Sequence, residues 1–119
     1  MVLLNELSIS WIESLNISNN NLSLRVIALD KILKIDFDGV LNTSISYQLV
    51  DTLNSDTELG NVIEIKHEYR PVYKKDIPLD PFSFNSKESF NIVYIEGDFI
   101  VKIICRNIYL TEIGSYPAN

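Results

Sequence analysis

From Leu22 onward the apolar residues recur with a period of two, and this pattern constrains the fold more than any other feature. In residues 32–41, Leu33, Ile35 and Phe37 alternate with charged residues. Successive side chains of a strand point to opposite faces, so the pattern predicts a strand with one buried and one wet face. The chain also holds 17 Ile and 8 Val against 2 Ala, and stiff β-branched side chains favour sheets.

Turn signals divide the chain into several strands. The predicted strands are residues 22–29, 32–41, 45–50, 62–69, 90–95 and 99–113. Asp30-Lys31 is interpreted as a tight turn, and Glu96-Gly97-Asp98 as a hairpin turn in which Gly97 supplies positive φ. The last strand is apolar on both faces, which predicts a central position. Its faces are expected to carry Val101, Ile103 and Cys105 on one side and Ile100, Ile104 and Ile108 on the other.

The N-terminal segment, residues 3–16, fits two structures. Its apolar residues fall on a helical stripe and also alternate as in a strand. Ser10 and Glu13 have the spacing of a capping box, which favours a helix start, and residues 19–21, three Asn, are expected to end the segment. Residues 70–89 contain three prolines and predict an irregular excursion with a short edge strand at 82–84.

These patterns predict one mainly β domain of 119 residues, on the border of α+β. We expect an antiparallel sheet, as a sandwich or a partly open barrel, with a short N-terminal helix. The single Cys excludes an internal disulfide, the first residues lack a cationic leader, and no apolar run exceeds four residues. The expected location is therefore the cytoplasm, without a membrane span.

Acidic residues outnumber basic ones by 16 to 10, which gives a net charge of −6. This charge argues against nucleic acid and anionic membranes as partners and favours a basic protein. Six acids and no Lys or Arg lie between Ile35 and Ile65, on two strands and a loop. The segment is interpreted either as a solvated face or as a docking surface for a basic partner. The candidate partner-binding carboxylates are Asp36, Asp38, Asp51, Asp56, Glu58 and Glu64, with Tyr47 and Tyr73 as candidate aromatic anchors.

One stretch looks catalytic. Asp36-Phe-Asp-Gly-Val-Leu-Asn-Thr-Ser44 resembles the first motif of the haloacid dehalogenase phosphatases. That resemblance implies Asp36 as nucleophile and Asp38 as general acid and base, with both acids helping to hold Mg²⁺. The family's strand is buried and parallel, whereas Lys34 and Asp36 predict a strand that is wet on one face. Only 75 residues follow Ser44, and they show no helices for the family's doubly wound sheet.

The chain has one His and one Cys, too few for a structural zinc site within one chain. His67 is interpreted as a packed imidazole with one or two hydrogen bonds, and Cys105 as an inert core thiol. No cofactor is expected.

The strand Lys34-Ile-Asp-Phe-Asp-Gly-Val40 and the hairpin beginning Phe90-Asn-Ile-Val-Tyr-Ile resemble small β-rich bacterial immunity proteins of contact-dependent growth inhibition and related polymorphic toxin systems. The resemblance implies a non-catalytic cytoplasmic protein that binds and blocks a cognate toxin domain, commonly a basic nuclease. The alternative is a structural or regulatory β module, possibly homodimeric. A small magnesium-dependent phosphatase that uses Asp36 and Asp38 ranks third.

Overall fold

Six antiparallel strands close into a barrel in the computed structural model, which describes residues 3–19, 21–47, 60–77 and 87–115. The strands are β1 (Ile9–Ser18), β2 (Asn21–Ala28), β3 (Lys31–Tyr47), β4 (Gly60–Pro71), β5 (Ser89–Gly97) and β6 (Phe99–Ser115). Their order around the barrel is β1-β2-β3-β6-β5-β4, and β4 pairs with β1. The predicted mainly β antiparallel fold is confirmed, and the sheet is a closed barrel.

The inward faces of the strands form one apolar core. Its bulkiest fully buried members come from the segment before β1 and from every strand except β4: Leu4, Ile12, Leu24, Ile35, Phe37, Ile95, Phe99 and Ile103. Burial of such side chains supplies the main favourable term in folding. Among the described residues no helix is long and apolar enough to cross a bilayer.

The N-terminal segment forms a strand, so the expected helix at Ser10–Glu13 is wrong. Only a 3₁₀ turn, Leu4–Glu6, precedes β1. The register of β1 against β2 shifts between Ile9 and Trp11 and again between Ile12 and Ser14. These irregularities turn Ile9, Ile12 and Leu15 to the core at a spacing of three. The core therefore follows neither the helical stripe of Leu4, Leu7, Trp11 and Leu15 nor the strict alternation of Leu7, Ile9 and Trp11. The Ser10 hydroxyl donates to the carbonyl of Ile27 across the sheet at 3.4 Å instead of capping a helix.

Of the two turns that flank β2, one agrees with the sequence prediction and the other does not. Asn19 has φ of +52°, as expected for the Asn-rich end of β1. The β2–β3 turn consists of Leu29 and Asp30 rather than Asp30-Lys31, because Ala28 pairs with Lys31. Leu29 adopts φ of +58° and is 76% exposed.

The predicted strands at 32–41 and 45–50 belong to one strand, β3, as far as Tyr47. Gly39 does not end the strand, because β3 passes through it at φ of +64°. Pairing with β6 continues on both sides of it, from Lys31 opposite Ser115 to Tyr47 opposite Phe99. Residues 48–50 lie outside the described residues.

Strand β4 is longer than the predicted 62–69. The alternation of its sequence predicts one face of Ile63, Ile65, His67 and Tyr69, and only part of that face is buried. Ile65 and His67 point towards the core, but Ile63 is 79% exposed because the register against β5 shifts between Val62 and Glu64. Tyr69 is also exposed.

A hydrogen-bond network fixes the first 3₁₀ turn to the barrel interior. The backbone N–H of Leu4 donates to Nδ1 of His67 at 3.0 Å, which leaves the imidazole proton on Nε2, 2.8 Å from the side-chain oxygen of Asn91. The Asn91 amide donates in turn to the carbonyl of Arg106 at 2.9 Å. His67 is therefore a packed imidazole with two hydrogen bonds, as predicted. The free thiol of Cys105 is also buried.

The start of the predicted irregular excursion covers the outside of the barrel. Residues 72–77, which include the 3₁₀ turn Lys74–Asp76, place Val72 and Ile77 against Phe90, Ile92 and Ile104. Ile104 thus lies on the outer face of β6, as predicted. Ile108 was predicted on the same face, but it packs against the barrel core. The predicted edge strand at 82–84 lies outside the described residues.

The β5–β6 hairpin and the central position of β6 are confirmed, but the reason given for Gly97 is wrong. Positive φ occurs at Gly39 and Gly60 among the described glycines, and not at Gly97. A Cβ on Gly97 would lie 1.8 Å from the carbonyl oxygen of Asn61. Gly97 is therefore required because the backbone of β4 approaches it too closely for any side chain.

We predict that Gly97→Ala destabilises the protein by about 2–3 kcal/mol, because the backbone of β4 or β5 must move to admit the methyl group. Gly114→Ala is the matched control, since its Cβ would meet only the Ile32 side chain at 3.7 Å, and it should change stability by less than about 0.5 kcal/mol. Urea unfolding monitored by fluorescence measures both. Equal stability of the two variants would contradict the close approach.

Candidate partner-binding surface

The described acidic candidates do not form one surface. Asp36 and Asp38 lie on β3, and Glu64 lies on β4. In the ring of six strands, β3 and β4 are three positions apart, so they occupy opposite sides of the barrel. The expectation of a continuous acidic face from residue 36 to residue 64 is therefore wrong. Asp51, Asp56 and Glu58 lie outside the described residues.

On the β3 side, Asp36 has a lysine close to its carboxylate. Lys34 Nζ lies 3.7 Å from Asp36 Oδ1, and both side chains are about half exposed. The count of charges between Ile35 and Ile65 missed this neighbour because Lys34 lies just before that segment.

Burial raises the pKa of the Cys105 thiol to about 12, with a smaller contribution from the charge of Asp38.

The phosphatase-like motif lies in a different setting from the one that its resemblance implies. Asp36 and Asp38 sit in the middle of β3, which runs antiparallel to both β2 and β6. The strand continues past Asp38 to Tyr47. Within the described part of the chain, no three His, Cys, Asp or Glu side chains are grouped so that they could hold a metal ion.

On the β4 side, strand pairing concentrates carboxylates at one end of the barrel. Glu64 lies directly opposite Glu96 in the β4–β5 ladder. Side chains at directly opposed positions of antiparallel strands are near neighbours, and like charges there are destabilising. Lys66 Nζ is 3.7 Å from Glu64 and partly balances the pair. We define the acidic end as Glu64, Glu96 and Asp98.

Asp98 joins the two hairpin arms to β4. Its backbone N–H donates to the carbonyl of Asn61 at 3.2 Å, and its carboxylate accepts from the Asn61 N–H at 3.1 Å. Gly60 precedes this contact at φ of +97°, and a Cβ there would lie 2.7 Å from Asp98 Oδ2. The turn between β5 and β6 is therefore held against the start of β4.

The last residue of β3 and the first residue of β4 both lie at the acidic end. Tyr47, the last residue of β3, pairs with Phe99, and β4 begins at Gly60 beside Asp98. Residues 48–59 carry Asp51, Asp56 and Glu58 and no Lys or Arg. All ten Lys and Arg residues of the chain lie in the described part, so the undescribed segments contain acids alone among the charged residues.

A shallow groove of about 350 Å³ continues from the acidic end along the outer face of β4, β5 and β6. Ile92 and Tyr94 contribute apolar surface, and Glu64, Glu96 and Lys102 line it nearby. Lys66 Nζ lies 5.9 Å from the centre of the Tyr94 ring. The groove therefore places Tyr94, an aromatic side chain of a type that often carries binding energy in interfaces, among charged groups.

An ion pair shapes the far side of this groove. Both terminal nitrogens of Arg70 donate to the carboxylate of Asp76 at 2.8 Å. Asp76 also accepts from the N–H of Tyr73 at 2.8 Å, and its carbonyl accepts from Lys102. The Tyr73 ring, 45% exposed, lies 5.5 Å from the Arg70 guanidinium. The structure thus brings two of the predicted residues, Glu64 and Tyr73, to the same side of the barrel.

Sequence reasoning missed Glu96, Asp98 and Tyr94. They are separated from Glu64 by about 30 residues, and the intervening excursion hides their proximity. The missing information was the register of β4 against β5, for which the only sequence signal was the alternation of both strands.

Comparison of the sequence with protein-family models gives no match, and comparison with curated proteins gives none either.

The Arg70–Asp76 pair predicts a specific pH dependence of stability. The hydrogen bonds from Arg70 lower the pKa of Asp76 from 3.8 to about 2, against the opposing effect of burial. A depressed pKa means that the contribution is present above about pH 4 and is lost as the pH falls towards 2. Asp76→Asn should therefore cost roughly 1–3 kcal/mol at pH 7.

The difference in unfolding free energy between wild type and Asp76→Asn should stay constant above about pH 4 and shrink between pH 4 and 2. Glu88→Gln is the control, because the Glu88–Arg106 pair is more than half exposed and such pairs contribute little. A difference that does not depend on pH would refute the role assigned to Asp76.

Proposed function

We propose that this protein is a non-catalytic immunity protein that binds and blocks a basic toxin domain, of the nuclease type, in the bacterial cytoplasm. The observation that carries the proposal is the direct opposition of Glu64 and Glu96 beside Asp98. A basic partner would neutralise a pair of charges that the isolated barrel keeps at a cost in stability.

The surroundings of the acidic end support a binding role. Glu64, Glu96 and Asp98 give this end a negative charge that Lys66 balances only in part. Such a field accelerates encounter with a basic protein. Tyr94 and Tyr73 supply the aromatic side chains that commonly carry binding energy in interfaces. The mode of inhibition is then occlusion of the basic active site of the toxin, which requires no chemistry from the barrel.

The acidic end replaces the β3 face as the proposed contact. Asp36 and Asp38 lie on the opposite side of the barrel, so they are not among the contacts of this proposal. The other candidate function is a structural β module that associates with itself. It is favoured by β6, whose pairing with β5 ends at Cys105.

The test is to co-express the protein with the product of the neighbouring gene, which the proposal requires to be a basic toxin domain, and to measure the affinity between the two proteins. The double variant Glu64→Lys/Glu96→Lys should weaken binding by about 100-fold or more, since interfacial charge pairs couple by ~1.5 kcal/mol or more each and 1.4 kcal/mol corresponds to tenfold. Protection of the cells should fall accordingly.

The matched control is Asp30→Lys/Asp36→Lys, which changes the net charge equally but lies away from the acidic end. It should bind within about threefold of wild type, with a somewhat slower association rate. Loss of binding in this control alone would move the site to the β3 side. Absence of any protection by the wild-type protein would exclude the immunity function.

A further inference from the structure

The C-terminal half of β6 has a strand neighbour on one side only, within residues 3–19, 21–47, 60–77 and 87–115. Pairing of β6 with β5 ends where Asn91 meets Cys105. Pairing with β3 continues to the far end, where Lys31 meets Ser115. The described chain therefore leaves the backbone of residues 107–115 open along one edge.

This open edge exposes apolar side chains and carries little of the usual protection. Tyr109 is 55% exposed, Ile113 44% and Leu110 39%. Natural edge strands are normally guarded by Lys, Pro or inward-pointing charges, because unpaired N–H and C=O groups recruit further strands. Residues 107–113 contain no Lys or Pro. Their one guard is Glu112, which lies opposite Leu33 on the core-facing side of the sheet, with Lys31 3.7 Å away.

We propose that the protein forms a two-fold symmetric dimer in which the C-terminal halves of two β6 strands pair antiparallel and join the two sheets. The occupant is a second copy because the edge is complementary to itself. In a pairing centred on Thr111, Tyr109 of each copy faces Ile113 of the other, and Glu112 faces Leu110. Aromatic and β-branched residues are favourable cross-strand partners, and no like charges are opposed.

The dimer contact and the acidic end lie at opposite ends of β6. The strand begins at Phe99, beside Asp98, and the open edge occupies its last nine residues. Strands rise about 3.3 Å per residue, so Thr111 lies roughly 40 Å along β6 from Phe99. Each copy in the dimer consequently keeps its acidic end accessible, and the dimer does not depend on the toxin-binding proposal.

Sedimentation equilibrium tests the dimer with a variant that leaves the monomer intact. Thr111 is exposed and lies opposite Lys34 of β3, so Thr111→Glu adds an opposite charge within the monomer and places two carboxylates opposite each other at the symmetry axis. It should raise the dimer dissociation constant at least about tenfold. Asn16→Glu, at another exposed strand position on β1, should leave the constant unchanged.

Cross-linking tests the register independently. Directly opposed residues of antiparallel strands have Cα atoms about 4.5–5.5 Å apart, which is within the range of a disulfide. Thr111→Cys should give a covalent dimer under mild oxidation, whereas Asn16→Cys should not, and the buried Cys105 should not react. A wild-type protein that stays monomeric at all concentrations, or a Thr111→Glu variant that dimerises as well as wild type, would overturn the proposal.

Discussion

The close approach of β4 to the β5–β6 hairpin determines much of the remaining structure. The carbonyl of Asn61 lies where the side chain of Gly97 would be, and Asp98 bonds the same residue through its backbone and its carboxylate. These contacts fix the start of β4, which also pairs with β1 at Gly60 and Asn61 and so closes the barrel. The register shift at Ile63, directly after this contact, places Glu64 opposite Glu96. Closure of the barrel and concentration of charge therefore both depend on the first residues of β4.

The barrel is stabilised by layers on both sides of its sheet. Inside, the His67–Asn91 network attaches the first 3₁₀ turn through the N–H of Leu4, and every partner in it is buried or part of the backbone. Outside, Arg70 and Asp76 hold residues 72–77 over Phe90 and Ile104. Buried polar groups are tolerated only when their hydrogen bonds are made. Both networks meet that condition, and the outer one forms a wall of the groove beside the acidic end.

The alternation of apolar residues was sufficient to predict the strand content, the final hairpin and the packed state of His67. It was insufficient where bulges change the period, because Ile9, Ile12 and Leu15 then face the core at a spacing of three and Ile63 points to solvent. Gly97 shows a second limit, since a glycine required by the approach of a distant strand has the same letter as one required by its own φ. The charge count along the chain identified Glu64 but grouped it with Asp36, because position in sequence does not show which side of a closed barrel a strand occupies. Glu96 became its neighbour only through the register of two strands separated by an irregular excursion.

A double-mutant cycle on Glu64 and Glu96 tests most directly whether the strand register brings the two carboxylates together. The unfolding free energies of wild type, Glu64→Gln, Glu96→Gln and the double variant are measured at low and at high ionic strength. Opposed carboxylates predict a repulsive coupling of a few tenths of a kcal/mol up to about 1 kcal/mol, which shrinks in about 1 M salt as screening shortens the range of the interaction. Strictly additive effects at low salt would contradict the opposition of Glu64 and Glu96, and with it the acidic end on which the proposed function depends.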